Sequence, residues 1–509
     1  MTETLPGSRG RLFLYGATIF LSSGALLVLE IVAGRLLAPY IGVSLYTWTS
    51  IIGVILAGLS VGNWLGGLWA DSSGDERSAA WVLFGAGIYC ITSLVALEYI
   101  AAGIVAGGAG LLTASFLLAA ILFFLPALLL GIVTPLLTTL ALHLDQRTGH
   151  IVGRMHALAA VGSIAGTFAA GYWLIQYFGT YAVVIGTAAG LFLLAIPLFG
   201  LRSRPGVTSA ATAMMAILAQ VSGLLAAPCD EESRYFCIRV ADHSGDAPYG
   251  SARGLVLDHL LHSINHEQDP ALLIAPYVHG MDELVHAHFG QEAYDAGLRY
   301  FFAGGGAYTQ PRAVVTLSPA SSVTVAELDP EVTGTAQTSL FVDTAGMDVI
   351  HEDARRALLL SANTFDVVVG DVFHDVAIPF HLLTREFFEL VDARLAAGGM
   401  LAMNVVDAFP DPRLVKAVLN ALRPVFEHTA VWVETLPDGP TRATYIITAR
   451  RDRAWPAVVN ARRGPERNWY RIDEPMHRAG TPFDELPALS DQYAPVERLI
   501  ADLVTGVDR

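Results

Sequence analysis

Over the first 228 positions, apolar residues run in long, nearly unbroken stretches; after that they shorten to runs of four to seven, broken by polar turns. The first pattern predicts membrane-spanning helices, each of which needs about 20 apolar residues. Segments of that kind stand at 12–34, 47–70, 79–101, 111–142, 156–177, 181–200 and 208–227. The fourth is long enough for one span plus extra turns, and Pro126, Gly131 and Pro135 are expected to kink it or break it in two. Gln220 and modest hydrophobicity make the last segment the weakest span. Gly58-Leu59-Ser60-Val61-Gly62 and Gly162-Ser163-Ile164-Ala165-Gly166 carry small residues at a spacing that lets helices approach closely. Glu30 and Arg35 stand in the first span, off a common helical face, so each is expected to pair with another helix.

The second pattern predicts strands alternating with helices. Tyr235–Val240 and Leu255–Asp258 read as a small β lid, followed by a helix near 270–290. An apolar run, Leu298–Phe302, then meets Gly304, Gly305 and Gly306, and a second, Val323–Ala326, ends on Glu327-Leu328-Asp329. A third strand, Met347–His351, ends in Glu352-Asp353-Ala354, and a fourth, Phe365–Gly370, ends on Asp371. A helix at 384–396 and a strand at 400–406 follow. Alternation of this kind implies a parallel, doubly wound, Rossmann-like sheet with helices on both faces. Ligands bind at the carboxyl ends of such strands, where Glu327, Asp353 and Asp371 all stand. Glycines there let backbone approach a nucleotide, and the acid after the second strand can grip ribose hydroxyls. Acids in these places also cap helices, a role that suits Asp353 best and Glu327 least.

Charge divides the chain in the same place. Residues 1–228 hold eight of the 31 basic and seven of the 47 acidic side chains, leaving 23 and 40 for residues 229–509. The expected organisation is therefore a bundle of about seven spans in 1–228 and an acidic Rossmann-like domain in 229–509. An acidic surface disfavours nucleic acid. Arg9 and Arg11, Arg77, Arg147 and Arg154, and Arg202 and Arg204 fall in alternate loops, which places the N-terminus in the cytoplasm of a multi-pass plasma-membrane protein. The first apolar stretch is too long for a cleavable signal peptide.

The order Glu232-Ser233-x-Tyr235, Leu257-Asp258 with His262, Gly304-Gly305-Gly306, Glu327-Leu328-Asp329, Glu352-Asp353-Ala354 and Asp371 resembles spermidine synthase, a polyamine aminopropyltransferase. The first span and Leu489-Ser490-Asp491-Gln492-Tyr493-Ala494-Pro495-Val496 resemble its membrane-fused branch. The resemblance implies a methyltransferase-type sheet, decarboxylated S-adenosylmethionine as co-substrate, no metal, and transfer of an aminopropyl group to an amine. It implies Glu327 on the ribose, Asp353 on the adenine amino group, the glycine loop against the nucleoside, and Asp371 orienting the attacking amine and taking its proton. Tyr235, His262, Tyr277, His374 and Asp375 are the candidates for binding the substrate. Two family features are altered: Ala307 and Tyr308 follow the glycines where the family has Asp-Gly, and His374 stands where a second acid is expected, with Asp375 one place late.

A small-molecule amine or nucleoside and the lipid bilayer are the expected partners, with a homodimer as an open option. Two other readings stand beside the enzyme: a non-catalytic polyamine or nucleoside binding or transport protein, and an extracytoplasmic relic of the fold. Seven crossings from a cytoplasmic N-terminus place 229–509 outside, whereas adenosyl co-substrates are cytoplasmic. Cys229 and Cys237 suit a disulfide in an oxidising compartment, or two free thiols. Gly66-Gly67-Leu68-Trp69-Ala70-Asp71, with Glu76-Arg77 after it, weakly resembles a loop of major facilitator transporters. His279, His286 and His288 cluster on a helix and read as a solvated face, and His286 with His288 lacks zinc-ligand spacing. Arg462, Arg463 and Arg467 with Trp469 and Tyr470 read as a segment packed on the domain surface.

Overall fold

A computed structural model describes residues 8–106, 110–145, 147–224, 227–373 and 378–501. The chain forms two compact units, Met1–Arg234 and Tyr235–Arg509.

In the first unit, six helices among the described residues are long and apolar enough to cross a membrane: Ser8–Ile41, Leu45–Ser72, Glu76–Ala101, Leu111–Leu144, Thr148–Phe178 and Thr180–Phe199. The seventh expected span forms a helix, Arg204–Val221, capped by the Ser203 hydroxyl, but it is too weakly apolar to be one of the six. Leu111–Leu144 is one continuous helix despite Pro126 and Pro135. Large apolar side chains such as Trp64, Phe116 and Trp173 face outward, the surface a bilayer would cover. The small residues bring backbones together. A methyl group added at Gly58, Gly62 or Gly66 would stand 2.6, 2.1 or 2.7 Å from the carbonyl oxygens of Phe124, Leu128 and Ile132. Gly162 and Gly166 lie as tightly on Phe20 and Gly24. Arg35 departs from expectation. It donates to the Ser233 carbonyl at 2.7 Å and faces Glu232 at 3.9 Å, so its ion-pair partner is on an extended segment rather than on another helix. Glu232 also accepts from the backbone N–H of Thr180, the first residue of the sixth of those helices.

Extended residues begin at β1 (Glu231–Glu232). In the second unit β2 (Cys237–Asp242), β3 (Ala252–Leu257) and β4 (Leu260–His266) form an antiparallel meander. The main sheet holds β5 (Arg299–Ala303), β6 (Ser322–Ala326), β7 (Met347–Ile350), β8 (Phe365–Gly370), β9 (Leu395–Phe409), β10 (His428–Val433), β11 (Thr441–Arg450), β12 (Val458–Asn460) and β13 (Asn468–Arg471). Its order is β12-β13-β10-β11-β9-β8-β5-β6-β7. β9, β8, β5, β6 and β7 are parallel, as the alternation requires. Their sequence order reverses at β5, and this is the crevice where such sheets bind ligands. The sheet is mixed rather than wholly parallel, because β10 to β13 add antiparallel strands at one edge. Phe365, Val367, Val368 and Val369 are all buried, the pattern of a central strand covered on both faces.

The histidine helix is a correction. In the helix Pro276–Phe289, His279, His286 and His288 are 2–3% exposed, not solvated. The acids of the same helix meet the arginines of the C-terminal segment: Arg462 pairs with Glu283 at 3.1 Å and Arg463 with Asp282, while Arg467 reaches the carbonyls of Leu273 and Ile274. Charges from two apolar-poor segments thus satisfy one another inside the fold, which hydrophobic periodicity does not reveal.

The close helix contacts give a direct test. Gly162→Ala places a methyl 2.0 Å from the Phe20 carbonyl oxygen, whereas Gly53→Ala meets nothing within 4 Å. Thermal unfolding of the detergent-solubilised chain should show a loss of about 1–3 kcal/mol for the first. The second should match the parent or exceed it slightly.

Candidate active site at the sheet switch point

The site is built by a hydrogen-bond ladder that runs one residue past the strands. The N–H of Gly304 donates to Ala326, that of Glu327 to Ile350, and that of Asp371 to Ala303, at 2.9–3.1 Å. Each strand tip is therefore pinned to its neighbour, and the side chains that follow start from one edge of the sheet. Gly304 has φ +90, and a methyl there would lie 2.4 Å from the Asp371 carbonyl oxygen, so only glycine fits between the two tips.

Glu327 is 7% exposed. Its Oε2 accepts from the N–H groups of Gly305 and Gly306 at 2.8 and 3.2 Å, and its Oε1 from Asp329 at 2.9 Å. Burial pushes its pKa up, and the three backbone donors oppose that rise. The carboxylate thus shapes the loop from within. Carboxylate oxygens keep lone pairs beyond those used, so ribose hydroxyls could still donate to it.

Asp371 is half-buried. Its Oδ1 accepts from Asn404 Nδ2 at 3.1 Å and its Oδ2 faces the Tyr277 hydroxyl at 3.2 Å. Burial pushes its pKa up to about 6, against those two hydrogen bonds. The Tyr277 hydroxyl donates at 2.5 Å to the His262 carbonyl on β4, tying the meander to the strand tips. Burial beside Asp371 pushes the Tyr277 pKa well up. The His262 ring is pushed down to about 4 by burial, with His259 and Arg442 adding to the effect, so it is neutral at physiological pH. One cavity is lined by His262, Ser263, Gly304–Ala307, Thr309, Gln310 and Asp371, with Val278, Phe302, Pro311 and Val369.

Other sequence candidates lie elsewhere. Asp353 caps the helix Ala354–Leu360 through the Arg356 N–H and pairs with His381 at 2.8 Å, which holds its pKa down. Arg355, two residues on, is held by Asp491 at 2.6 Å, so the C-terminal motif braces this loop. Tyr235 packs beside Phe236 and does not line the cavity. His374 and Asp375 lie outside the described residues. Tyr308, in place of the family's glycine, turns into the core with φ +56 and bonds Thr333 at 2.7 Å. Asn404 and Gln310 are among the residues that escaped the sequence reading. Asn404 is a lone amide in the apolar run Leu401–Val406, which was the available signal. Gln310 stands behind the glycines and carried no signal of its own.

Residues 282–456 match the spermine/spermidine synthase domain family. A probable polyamine aminopropyl transferase of Bifidobacterium longum is 31% identical over 102 residues, 20% of this chain and 23% of the relative. Polyamine aminopropyltransferase 2 of Pseudomonas aeruginosa is 27% identical over 154 residues, 28% of this chain and 44% of the relative. The matched residues lie within the second unit, and they are what resembles a spermidine synthase. Among solved structures, a probable spermidine synthase from Corynebacterium glutamicum aligns over 52% of this chain and 95% of its own length, at 23% identity and TM-score 0.43. The chain spans half or less of the length of the curated relatives it matches. No group of histidine, cysteine, aspartate and glutamate fit to hold a metal occurs among the described residues.

The matched residues include the glycine loop, which is testable. Gly304→Ala forces a side chain against backbone at positive φ and should cost about 1–3 kcal/mol in denaturant unfolding. Gly306→Ala, at φ +50 with nothing within 4 Å, should cost about 1 kcal/mol or less.

Proposed function

We propose that this chain is a membrane-anchored, spermidine synthase-like enzyme that moves an aminopropyl group from decarboxylated S-adenosylmethionine to an amine. The observation that carries this reading is Asp371, a carboxylate at the switch point with its pKa raised to about 6, facing the glycine loop across a shared cavity. A general base works best with a pKa near the working pH. Glu327 and the loop hold the nucleoside. Asp371 orients the incoming amine and accepts the proton it sheds as nitrogen bonds to the propyl carbon. The carbon–sulfur bond breaks with its electrons going to sulfur, leaving neutral methylthioadenosine. Alignment of the reactants supplies most of the acceleration, since a sulfonium is already a good leaving group. His262 and Tyr277 border the acceptor side. The apolar helices anchor the chain in the bilayer, with the N-terminus in the cytoplasm.

Cys229 and Cys237 stand eight residues apart, a spacing that a disulfide can close, while Cys90 is free and buried. A disulfide belongs to an oxidising compartment and favours a second reading, an extracytoplasmic domain that binds a nucleoside or polyamine without catalysis. Labelling intact cells with an impermeant maleimide separates the two. Cysteines that label only after external reductant place the domain outside. Cysteines that label only after permeabilisation place it in the cytoplasm.

Glu327→Ala should weaken methylthioadenosine binding by about 1.5–3 kcal/mol in calorimetry. Asp371→Asn should abolish methylthioadenosine release while nucleoside binding persists, and parent turnover should rise as the pH passes about 6. Stability should move the opposite way. The folded state holds the Asp371 proton more tightly than the unfolded chain, so that contribution is full at low pH and is lost as pH rises from 3.8 through about 6. At pH 7.5 the Asp371→Asn protein should be more stable than the parent by on the order of 1–2 kcal/mol. Turnover by Asp371→Asn at the parent rate would refute the mechanism.

A further inference from the structure

Gln310 is the second residue of the helix Thr309–Leu317 and is 4% exposed, yet neither atom of its amide has a hydrogen-bond partner among the described residues. A buried amide left unpaired costs about 1–3 kcal/mol. Its neighbours do not share this fault. Thr309 donates to Ser263 at 2.8 Å, Tyr308 bonds Thr333, and Arg312 donates to the His266 carbonyl at 2.8 Å. The cavity that Gln310 lines also contains Asp371, His262 and the glycine loop, but neither Glu327 nor Asp353. The amide therefore serves the Asp371 side of the site, where the reacting atoms meet, and not the nucleoside side.

We propose that Gln310 is a specificity-determining residue that binds the sulfonium co-substrate's tail, the group beyond sulfur, through a ligand function that both donates and accepts hydrogen bonds. This rests on the adenosyl-sulfonium reading above and adds to it the chemistry of the tail. The amide presents an acceptor, Oε1, and a donor, Nε2, on one neutral fork. An α-amino-acid end satisfies both, its ammonium donating to Oε1 and its carboxylate accepting from Nε2. A lone ammonium satisfies Oε1 only, and an uncharged amine can use both atoms. Ala307, which lines the same cavity, brings no charge, and the Thr309 hydroxyl is given to Ser263, so the Gln310 amide is the uncommitted polar group of this stretch.

The experiment uses the full chain in detergent, as parent, Gln310→Met and Gln310→Glu. Calorimetric titration with methylthioadenosine, S-adenosylmethionine and decarboxylated S-adenosylmethionine is paired with the thermal midpoint of each protein. Gln310→Met keeps the shape and removes the unpaired amide, so its midpoint should equal or exceed that of the parent. Its affinity for methylthioadenosine, which has no tail, should stay within twofold, while affinity for at least one tailed ligand falls tenfold or more. The tailed ligand that loses most identifies the function read, amino acid or amine. Gln310→Glu should shift the preference toward the decarboxylated, cationic tail. Equal affinities of Gln310→Met and parent for all three ligands would overturn the proposal while leaving the nucleoside reading intact. A parent that binds none of the three would overturn both. A lowered midpoint with unchanged binding would make Gln310 a packing residue and nothing more.

Discussion

The register of the parallel ladder is the constraint from which the site follows. Parallel strands share hydrogen bonds at even spacing. Carrying that ladder one residue beyond β5, β6 and β8 sets Gly304, Glu327 and Asp371 against their neighbours with no freedom to slide. The glycine is then a necessity of space, since the Asp371 carbonyl occupies the place a side chain would need. Glu327 has a double role in consequence. It stands at a strand tip of the candidate site, and it neutralises the converging N–H dipoles of the loop, so loop shape and strand tip share one carboxylate.

Burial then sorts the two functional acids. Both have raised pKa values, but Glu327 is compensated by three backbone donors and Asp371 by one amide and one phenol. Asp371 thus has the sparser set of donors, and Glu327 is held by the loop backbone on both of its oxygens. Asp353 stands apart. Its two oxygens are committed to a helix cap and to His381, and the chain Asp491–Arg355 behind it gives the C-terminal segment a mechanical part in the same loop.

The fold was legible where one physical signal dominates. Long apolar stretches marked six of the helices, and Phe365–Gly370 could only be a strand buried on both faces. The places of Glu327 and Asp371 at the edge of the sheet were legible because they end apolar runs. What escaped were features set by partners distant in sequence. β10 to β13 join the sheet by antiparallel pairing, which β5 to β8 do not foretell. His279 and His286 look like a wet helix face until Arg462 and Arg463 close over Asp282 and Glu283 from 180 residues away. Gln310 is polar, sits at a helix start and would pass for surface in any pattern analysis. The fold turns it into a buried amide that lines the cavity.

The glycine contacts of the helical unit bear on how it can move. Leu45–Ser72 is seated on Leu111–Leu144 along three successive turns, and Ser8–Ile41 on Thr148–Phe178 along two, with backbone against backbone. Side chains cushion most helix pairs and let them slip past one another by rotamer changes. These pairs have no such cushion, so neither can shear without driving a carbonyl into a neighbouring Cα. Any rearrangement of the bundle has to carry each pair as a rigid paddle and place its sliding surfaces elsewhere.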